Sequence, residues 1–129
     1  MPAATTTLAS SLLNQVLRAA PYTPPGNVYL ALFTVAPTAS GGGTEVVGGS
    51  YARAPLTFNT STDGTTSNAN LVQITGMPAV TVVGLGVMSA TTGTVASTML
   101  FYGTLLTPKT TNSGDTFTCQ VSSLNIALS

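Results

Sequence analysis

The spacing of apolar residues changes at "PYTPPGN" (residues 21–27), and this change limits what the chain can fold into. Before it, in "LASSLLNQVLRAA" (residues 8–20), apolar residues recur every three or four positions, which is typical of an amphipathic helix. A threonine at position 5, 6 or 7 can cap the start of this helix, and Pro21 ends it. Downstream, only short alternating segments follow. The pattern predicts one N-terminal helix of about three turns, then strands.

The predicted helix has one apolar face that must be covered. The opposite face is polar. The apolar face consists of Leu8, Leu12, Leu13, Val16, Leu17 and Ala20. The chain's own sheet is the cover that we favour, and a neighbouring subunit is the alternative.

The segments after residue 27 have the length and turn spacing of strands. Turn-forming residues separate them at "STDGTTSN", "TGMP", "TTGT" and "TPKTTNSGD". The predicted strands are "VYLALFTV", "APLTFN", "ANLVQIT", "AVTVVGLGVMS", "STMLFYGTLL", "DTFTCQV" and "SLNIALS". About seven or eight short strands with no second helix predict a mainly β protein, a jelly-roll-like β-sandwich. We expect one domain over residues 1–129, with a helical segment over 1–22 and strands over 27–129.

Two strand segments carry further information about packing. "VYLALFTV" (Val28 to Val35) is apolar on both alternating faces, which is typical of a strand that is covered on both sides. Gly84 and Gly86 lie on one face of a later strand. We interpret them as a place where the sheet bends or where a large side chain packs across. A phosphate-binding loop is excluded, because no helix and no P-loop lysine follow.

Charge is unusually sparse and excludes several classes of function. The 129 residues include three basic and three acidic side chains and no histidine. Without clustered Lys and Arg, nucleic acid is not an expected partner, and no apolar run is long enough to span a membrane.

Asp63 and Asp115 occupy turn positions, and Cys119 alternates with apolar residues as a core side chain would. We therefore expect no enzymatic activity, no metal and no cofactor. A neutral surface favours self-association, so we expect a homo-oligomer.

Two of the six charges lie in the glycine-rich stretch "GGGTEVVGGSYARAPLTF" (residues 41–58). The glycines permit positive φ angles and close backbone approach. Tyr51 and Arg53 alternate onto one face, and Arg with an aromatic residue is a frequent anchor at interfaces. An internal salt bridge between Glu45 and Arg53 is the interpretation that we favour, ahead of contact with a neighbouring subunit and ligand binding. The candidate interface residues are Glu45, Tyr51, Arg53, Leu8, Leu12 and Val16.

The order of these segments resembles a family of small tailed-bacteriophage virion proteins that is often labelled phage tail fibre protein. The resemblance rests on "VYLALFT", "GTEV" and "GGSYAR", and on the C-terminal "FYGTLL" and "SGDTF". The chain departs from the family in two places. It has "MPAVTVV" where relatives have an aromatic residue, often Trp, before "GLGV". It also has Ser89 where many relatives have Asp.

The resemblance, together with similarity to jelly-roll capsid cement proteins, implies a structural role in the virion. The expected function is capsid decoration, in which a dimer or trimer stabilises the assembled head through contacts with the major capsid protein. The expected location is the outer surface of the capsid, after assembly in the host cytoplasm. The alternative is a tail fibre, tail tip or baseplate module that binds a host receptor.

Overall fold

The structure, a computed structural model, describes residues 3–128. Met1 and Pro2 of the predicted helical segment, and Ser129 of the last predicted strand, lie outside the described residues. Two helices and ten strands lie within residues 3–128: β1 (Ala3–Ala4), α1 (Thr6–Arg18), β2 (Val28–Val35), β3 (Thr44–Glu45), β4 (Ala54–Leu56), β5 (Thr65–Ser67), β6 (Val72–Met77), β7 (Val80–Met88), α2 (Val95–Thr98), β8 (Met99–Thr111), β9 (Asp115–Cys119) and β10 (Asn125–Ala127).

All of the strand pairs are antiparallel, and they form one large sheet and two small ones. The large sheet has the order β1-β8-β7-β2-β3, and β4 also pairs with β2. The small sheets are β10-β5 and β6-β9. Strands account for 45% of the residues and helices for 13%, which confirms a mainly β, sandwich-like fold with a helix near the N-terminus. The strand number exceeds the predicted seven or eight because β1, β3 and β5, of two or three residues each, lie where no apolar alternation occurs.

Strand β2 is buried on both faces, as the sequence predicts. Leu30 and Leu32 face the main core, while Ala31 and Phe33 face the opposite side, and all four are fully buried. The main core lies between β2 and the strands of the small sheets, with Leu30, Leu32, Val46, Leu56, Val72, Ile74, Met77, Val82, Val87, Phe117, Leu124 and Ile126 buried in it. A second, smaller core on the other face contains Ala31, Phe33, Met88 and Met99.

The glycines of β7 make room for side chains from β2 and the chain after it. A Cβ atom on Gly86 would lie 3.0 Å from the ring of Phe33, and one on Gly84 would lie 2.7 Å from the ring of Pro37. The prediction that a large side chain packs across these glycines is therefore confirmed. The register also shifts beside Gly84, so the sheet is irregular there.

Helix α1 has the predicted position and caps. The Thr5 hydroxyl accepts a hydrogen bond from the Leu8 N–H (3.3 Å), and Ala19 ends the helix in the left-handed conformation (φ 52°). Leu8 is the one residue of α1 that is buried. The expectation that the chain's own sheet covers the leucines is wrong for the C-terminal half, where Val16 and Leu17 are exposed. The helix contacts the sheet at its N-terminal end, where Thr5 also donates to the Met99 carbonyl (3.3 Å).

Two segments differ from the predicted pattern at the ends of β8. The expectation of no second helix is wrong, because the predicted strand "STMLFYGTLL" begins with the last two residues of the single helical turn α2. The Thr94 hydroxyl caps this turn by accepting from the Ser97 N–H (3.2 Å), and Val95 packs on the second core. The predicted turn "TPKTTNSGD" is strand as far as Thr111, because β8 continues to pair with β7. Between these regions, residues 105–108 bulge out of the ladder, which leaves Leu106 fully exposed.

Asn68 is a buried polar residue that joins three parts of the chain. Its side-chain amide donates to the carbonyls of Asn70 (2.9 Å) and Gln120 (2.8 Å) and accepts from the Leu124 N–H (2.9 Å). Asn68 is fully buried. It satisfies backbone groups of the β9–β10 connection that no strand partner reaches, and it thereby holds the C-terminal segment against the β5–β6 connection.

We predict that Asn68→Ala lowers the free energy of unfolding by about 1–3 kcal/mol, because it leaves the N–H of the buried Leu124 without its hydrogen-bond partner. Urea denaturation measures this change. Asn125→Ala, at an exposed position of β10, is the matched control and should change stability by less than about 0.5 kcal/mol. Equal effects of the two substitutions would contradict the role of Asn68.

Candidate functional site

The charged cluster of the glycine-rich stretch is assembled from two short strands and a loop. Glu45 lies on β3, which pairs with Phe33 of β2. Arg53 immediately precedes β4, and Tyr51 lies between the two. Positive φ angles at Gly48 (113°) and Gly49 (57°) let the chain turn back after β3, so that Tyr51 and Arg53 return to Glu45. The predicted use of these glycines is confirmed.

Glu45 accepts three hydrogen bonds within the cluster. Arg53 donates to it in a two-pronged geometry, from Nε to Oε2 (2.9 Å) and from Nη2 to Oε1 (2.9 Å). The Tyr51 hydroxyl donates to Oε2 (2.7 Å) and accepts from the Leu32 N–H (3.0 Å). Tyr51 and Arg53 therefore share a face, as predicted, and the ion pair of the favoured interpretation is present inside the chain.

The remaining donors of Arg53 bind the connection between β7 and β8. Nη1 donates to the Ala90 carbonyl (3.0 Å) and the Thr98 hydroxyl (3.2 Å), and Nη2 donates to the Gly93 carbonyl (2.9 Å). All five N–H groups of the guanidinium thus have partners within the chain. Arg53 is buried, and its geometry pins the segment that carries α2 onto the sheet.

The environment of the cluster shifts two pKa values. Burial raises the pKa of the Tyr51 hydroxyl well above its ordinary value, and the hydrogen bond to Glu45 adds to this shift. The hydrogen bond to Glu45 raises the pKa of Arg53, so the guanidinium stays charged. A depression of about 330 Å³ lies beside the cluster and is bordered by Thr91, Thr92 and Gly93. Because the charged groups at its wall are already paired, the cluster is built to hold the fold together.

The other residues that could carry chemistry are dispersed. Asp63 occupies a tight turn with a positive φ of 53°, as predicted. Asp115 is instead the first residue of β9, and its carboxylate closes the preceding turn by accepting from the Asn112 N–H (2.8 Å). Cys119 is half-buried against the main core. Across residues 3–128, no group of three or more His, Cys, Asp or Glu side chains is placed to hold a metal ion. In the same range, no helix is long and apolar enough to cross a membrane.

The second candidate surface is the exposed side of α1, which we call the α1 apolar face (Leu12, Leu13, Val16 and Leu17). Leu12 is half-buried and the other three are exposed. Together with Ala4, Ala9 and Leu128 they line an apolar groove of about 480 Å³. Of the predicted interface residues, Leu12 and Val16 lie on this face, whereas Leu8 is buried in the domain.

The predicted interface residues thus form two separate groups in the structure. Leu13 and Leu17 were not among them, although their helical spacing places them beside Val16. Leu128 could not be found from the sequence, because only the folded chain brings it to the helix. Contact of either group with a partner remains a prediction.

A contiguous exposed apolar face such as the α1 apolar face is typical of a surface that contacts another protein. The family model described as podophage GP4 fiber I protein gp80 matches residues 3–127. The chain belongs to this family, which confirms the resemblance to phage virion proteins labelled tail fibre. A comparison with individually curated proteins gives no match. The protein is a structural component of a phage virion.

We predict that stability falls as pH rises above about 10, and that Tyr51 contributes to this fall. The Tyr51 pKa is raised in the folded chain, so the unfolded chain loses the proton first, and each further rise in pH favours unfolding. In Tyr51→Phe this contribution is absent. Urea midpoints measured from neutral pH to about pH 11 should therefore fall less steeply for Tyr51→Phe than for the unsubstituted chain. Parallel pH profiles would contradict the assignment.

We predict that Arg53→Ala lowers the free energy of unfolding by about 3–5 kcal/mol, because the Glu45 carboxylate and two carbonyls lose their donor. Arg53→Lys keeps the charge but not the two-pronged geometry, so its loss should be smaller but measurable. Arg18→Ala, on the exposed side of α1, is the matched control. A melting temperature of Arg53→Ala equal to that of the control would show that the cluster does not stabilise the fold.

Proposed function

We propose that this chain is a structural module of the phage tail fibre and that it acts through protein–protein contacts without catalysis. The observation that carries the proposal is the match of a fibre-protein family over residues 3–127. Similarity to jelly-roll capsid cement proteins favours capsid decoration, with the major capsid protein as partner and the outer capsid surface as location. The description of the matching family points instead to the fibre, which is the alternative location.

The charge distribution supports a role without chemistry. The chain has three carboxylates and no histidine. Glu45 is committed to Arg53 and Tyr51, and Asp115 is committed to its own turn. These two carboxylates already accept hydrogen bonds that hold the fold, so they are not free to act as the acid or base of hydrolysis or group transfer. The module therefore contributes shape and contact area.

The placement of the aromatic residues favours a structural module over a carbohydrate-binding one. The chain has four Tyr, four Phe and no Trp. Each of these side chains is buried or half-buried, and several belong to the two cores or to the Arg53 cluster. A sugar ring is usually bound against an exposed aromatic face, and the described surface offers no such platform. Receptor recognition through stacked sugars is thus a poor fit to this chain.

The turn after β4 gives a place to attach a label for locating the module. Residues 59–64 are exposed and project from the sandwich. We predict that a short epitope inserted after Ser61 leaves the particle intact. Antibody–gold labelling should then appear at the tail in electron micrographs, with untagged particles as the control for background label.

Copy number gives an independent measurement. A quantitative gel of purified particles should give a few to a few tens of copies per virion for a fibre module, whereas decoration of a closed shell requires on the order of hundreds. The major capsid protein in the same lane is the internal standard. Label over the head together with hundreds of copies would overturn the fibre proposal in favour of capsid decoration.

A further inference from the structure

Helix α1 carries an apolar face that is wider than the part the domain covers. At 3.6 residues per turn, Leu8 and Leu12 point toward one side, while Leu13 and Leu17 lie roughly 140° and 180° around the helix from Leu8. The domain covers Leu8 at 6% exposure. Leu13, Val16 and Leu17 remain 59%, 76% and 75% exposed, and Leu128 borders them at 55%.

Single exposed leucines are ordinary, but this set is contiguous. It lines one groove of about 480 Å³ whose walls are apolar. A continuous apolar surface of this kind marks a protein contact in most soluble proteins. The helix itself also needs such a contact, because thirteen residues form a marginal helix unless an apolar face is packed.

The uncharged lining of the α1 apolar face indicates the kind of partner that fits it. Arg18 is the one charged residue of α1, and it lies on the opposite side, among Ser10, Asn14 and other uncharged polar residues. Among residues 3–128, no Asp, Glu, Lys or Arg side chain lines the groove. A partner recognised by charge complementarity finds nothing to pair with here. An identical apolar face meets no repulsion and matches in chemistry, so the face is complementary to itself.

We propose that the α1 apolar face is the contact between copies of this chain, with the helices packed against one another around a symmetry axis. The exposed area supports this assembly. Covering the α1 apolar face and Leu128 removes roughly 400–500 Å² from each copy, so a pair buries at most about 1,000 Å², at the lower limit for a specific interface. This inference concerns self-association and does not depend on whether the module lies in the tail or on the head.

The test is sedimentation equilibrium of the full chain and of Val16→Asp/Leu17→Asp over a wide concentration range. The unsubstituted chain should sediment as an oligomer, and the double variant as a monomer, with its dissociation constant raised at least about 100-fold by the buried carboxylates. Asn14→Asp adds a charge to the same helix on its polar side and should leave the oligomer intact. Circular dichroism and melting temperature establish that each variant is folded.

A second measurement keeps the proposal testable if the double variant does not fold. In a Cys119→Ser background, Val16→Cys should form a disulfide between copies under mild oxidation, whereas Asn14→Cys on the opposite side should not. A full chain that remains monomeric at every concentration would overturn the proposal. An oligomer that persists in the folded double variant, or equal cross-linking at positions 14 and 16, would overturn it as well.

Discussion

Strand β2 is buried on both faces, so the fold must supply two separate covers for it. On one face the small sheets provide the main core, with Leu30 and Leu32 of β2 at its centre. On the other face no complete sheet is present, and Ala31 and Phe33 are covered by residues from the β7–β8 connection and the start of β8. A cover made of one helical turn and loops has little backbone pairing of its own. It therefore depends on side chains to hold it in place.

Two of the six charged residues of the chain, Arg53 and Glu45, hold that connection in place. Arg53 binds two carbonyls and a hydroxyl of the β7–β8 connection and is itself oriented by Glu45 on β3. Asn68 has the equivalent role elsewhere in the fold, where it binds the irregular chain between β9 and β10. Both residues are buried, and both satisfy backbone groups that the strand ladders leave free. Thus the regular part of the fold is stabilised by apolar burial and the irregular part by two polar side chains.

This division explains how much could be predicted from the sequence. Helix α1 and strand β2 have strong local patterns, and their predicted positions are confirmed. Segments such as β1, β3 and β5 have no such pattern, because their hydrogen bonds depend on which distant strand reaches them. The ion pair of Glu45 and Arg53 could be predicted from the rarity of charge. The hydrogen bonds from Arg53 to Ala90 and Gly93 could not be predicted, because they are made to backbone carbonyls, which every residue type has. The sequence pattern predicts only that Asn68 belongs to a turn. Its burial depends on tertiary packing and therefore could not be predicted from the sequence.

Helix α1 contributes no side chain to the main core or to the second core. The residues that stabilise the fold are therefore different from those available for contact with another molecule. Removing the C-terminal half of α1 would take no buried side chain from either core, because Leu8 is the one residue of the helix that is buried. The sandwich can therefore form while most of the α1 apolar face remains in water. That face gains its stabilisation only when another apolar surface covers it, at about 25 cal/mol for each Å² removed from water. Because the two processes use different residues, a chain can reach its native sandwich first and associate afterwards. Under the proposed self-association, copies would join through a helix that the single chain already forms from Thr6 to Arg18, so loss of assembly would not by itself unfold the sandwich.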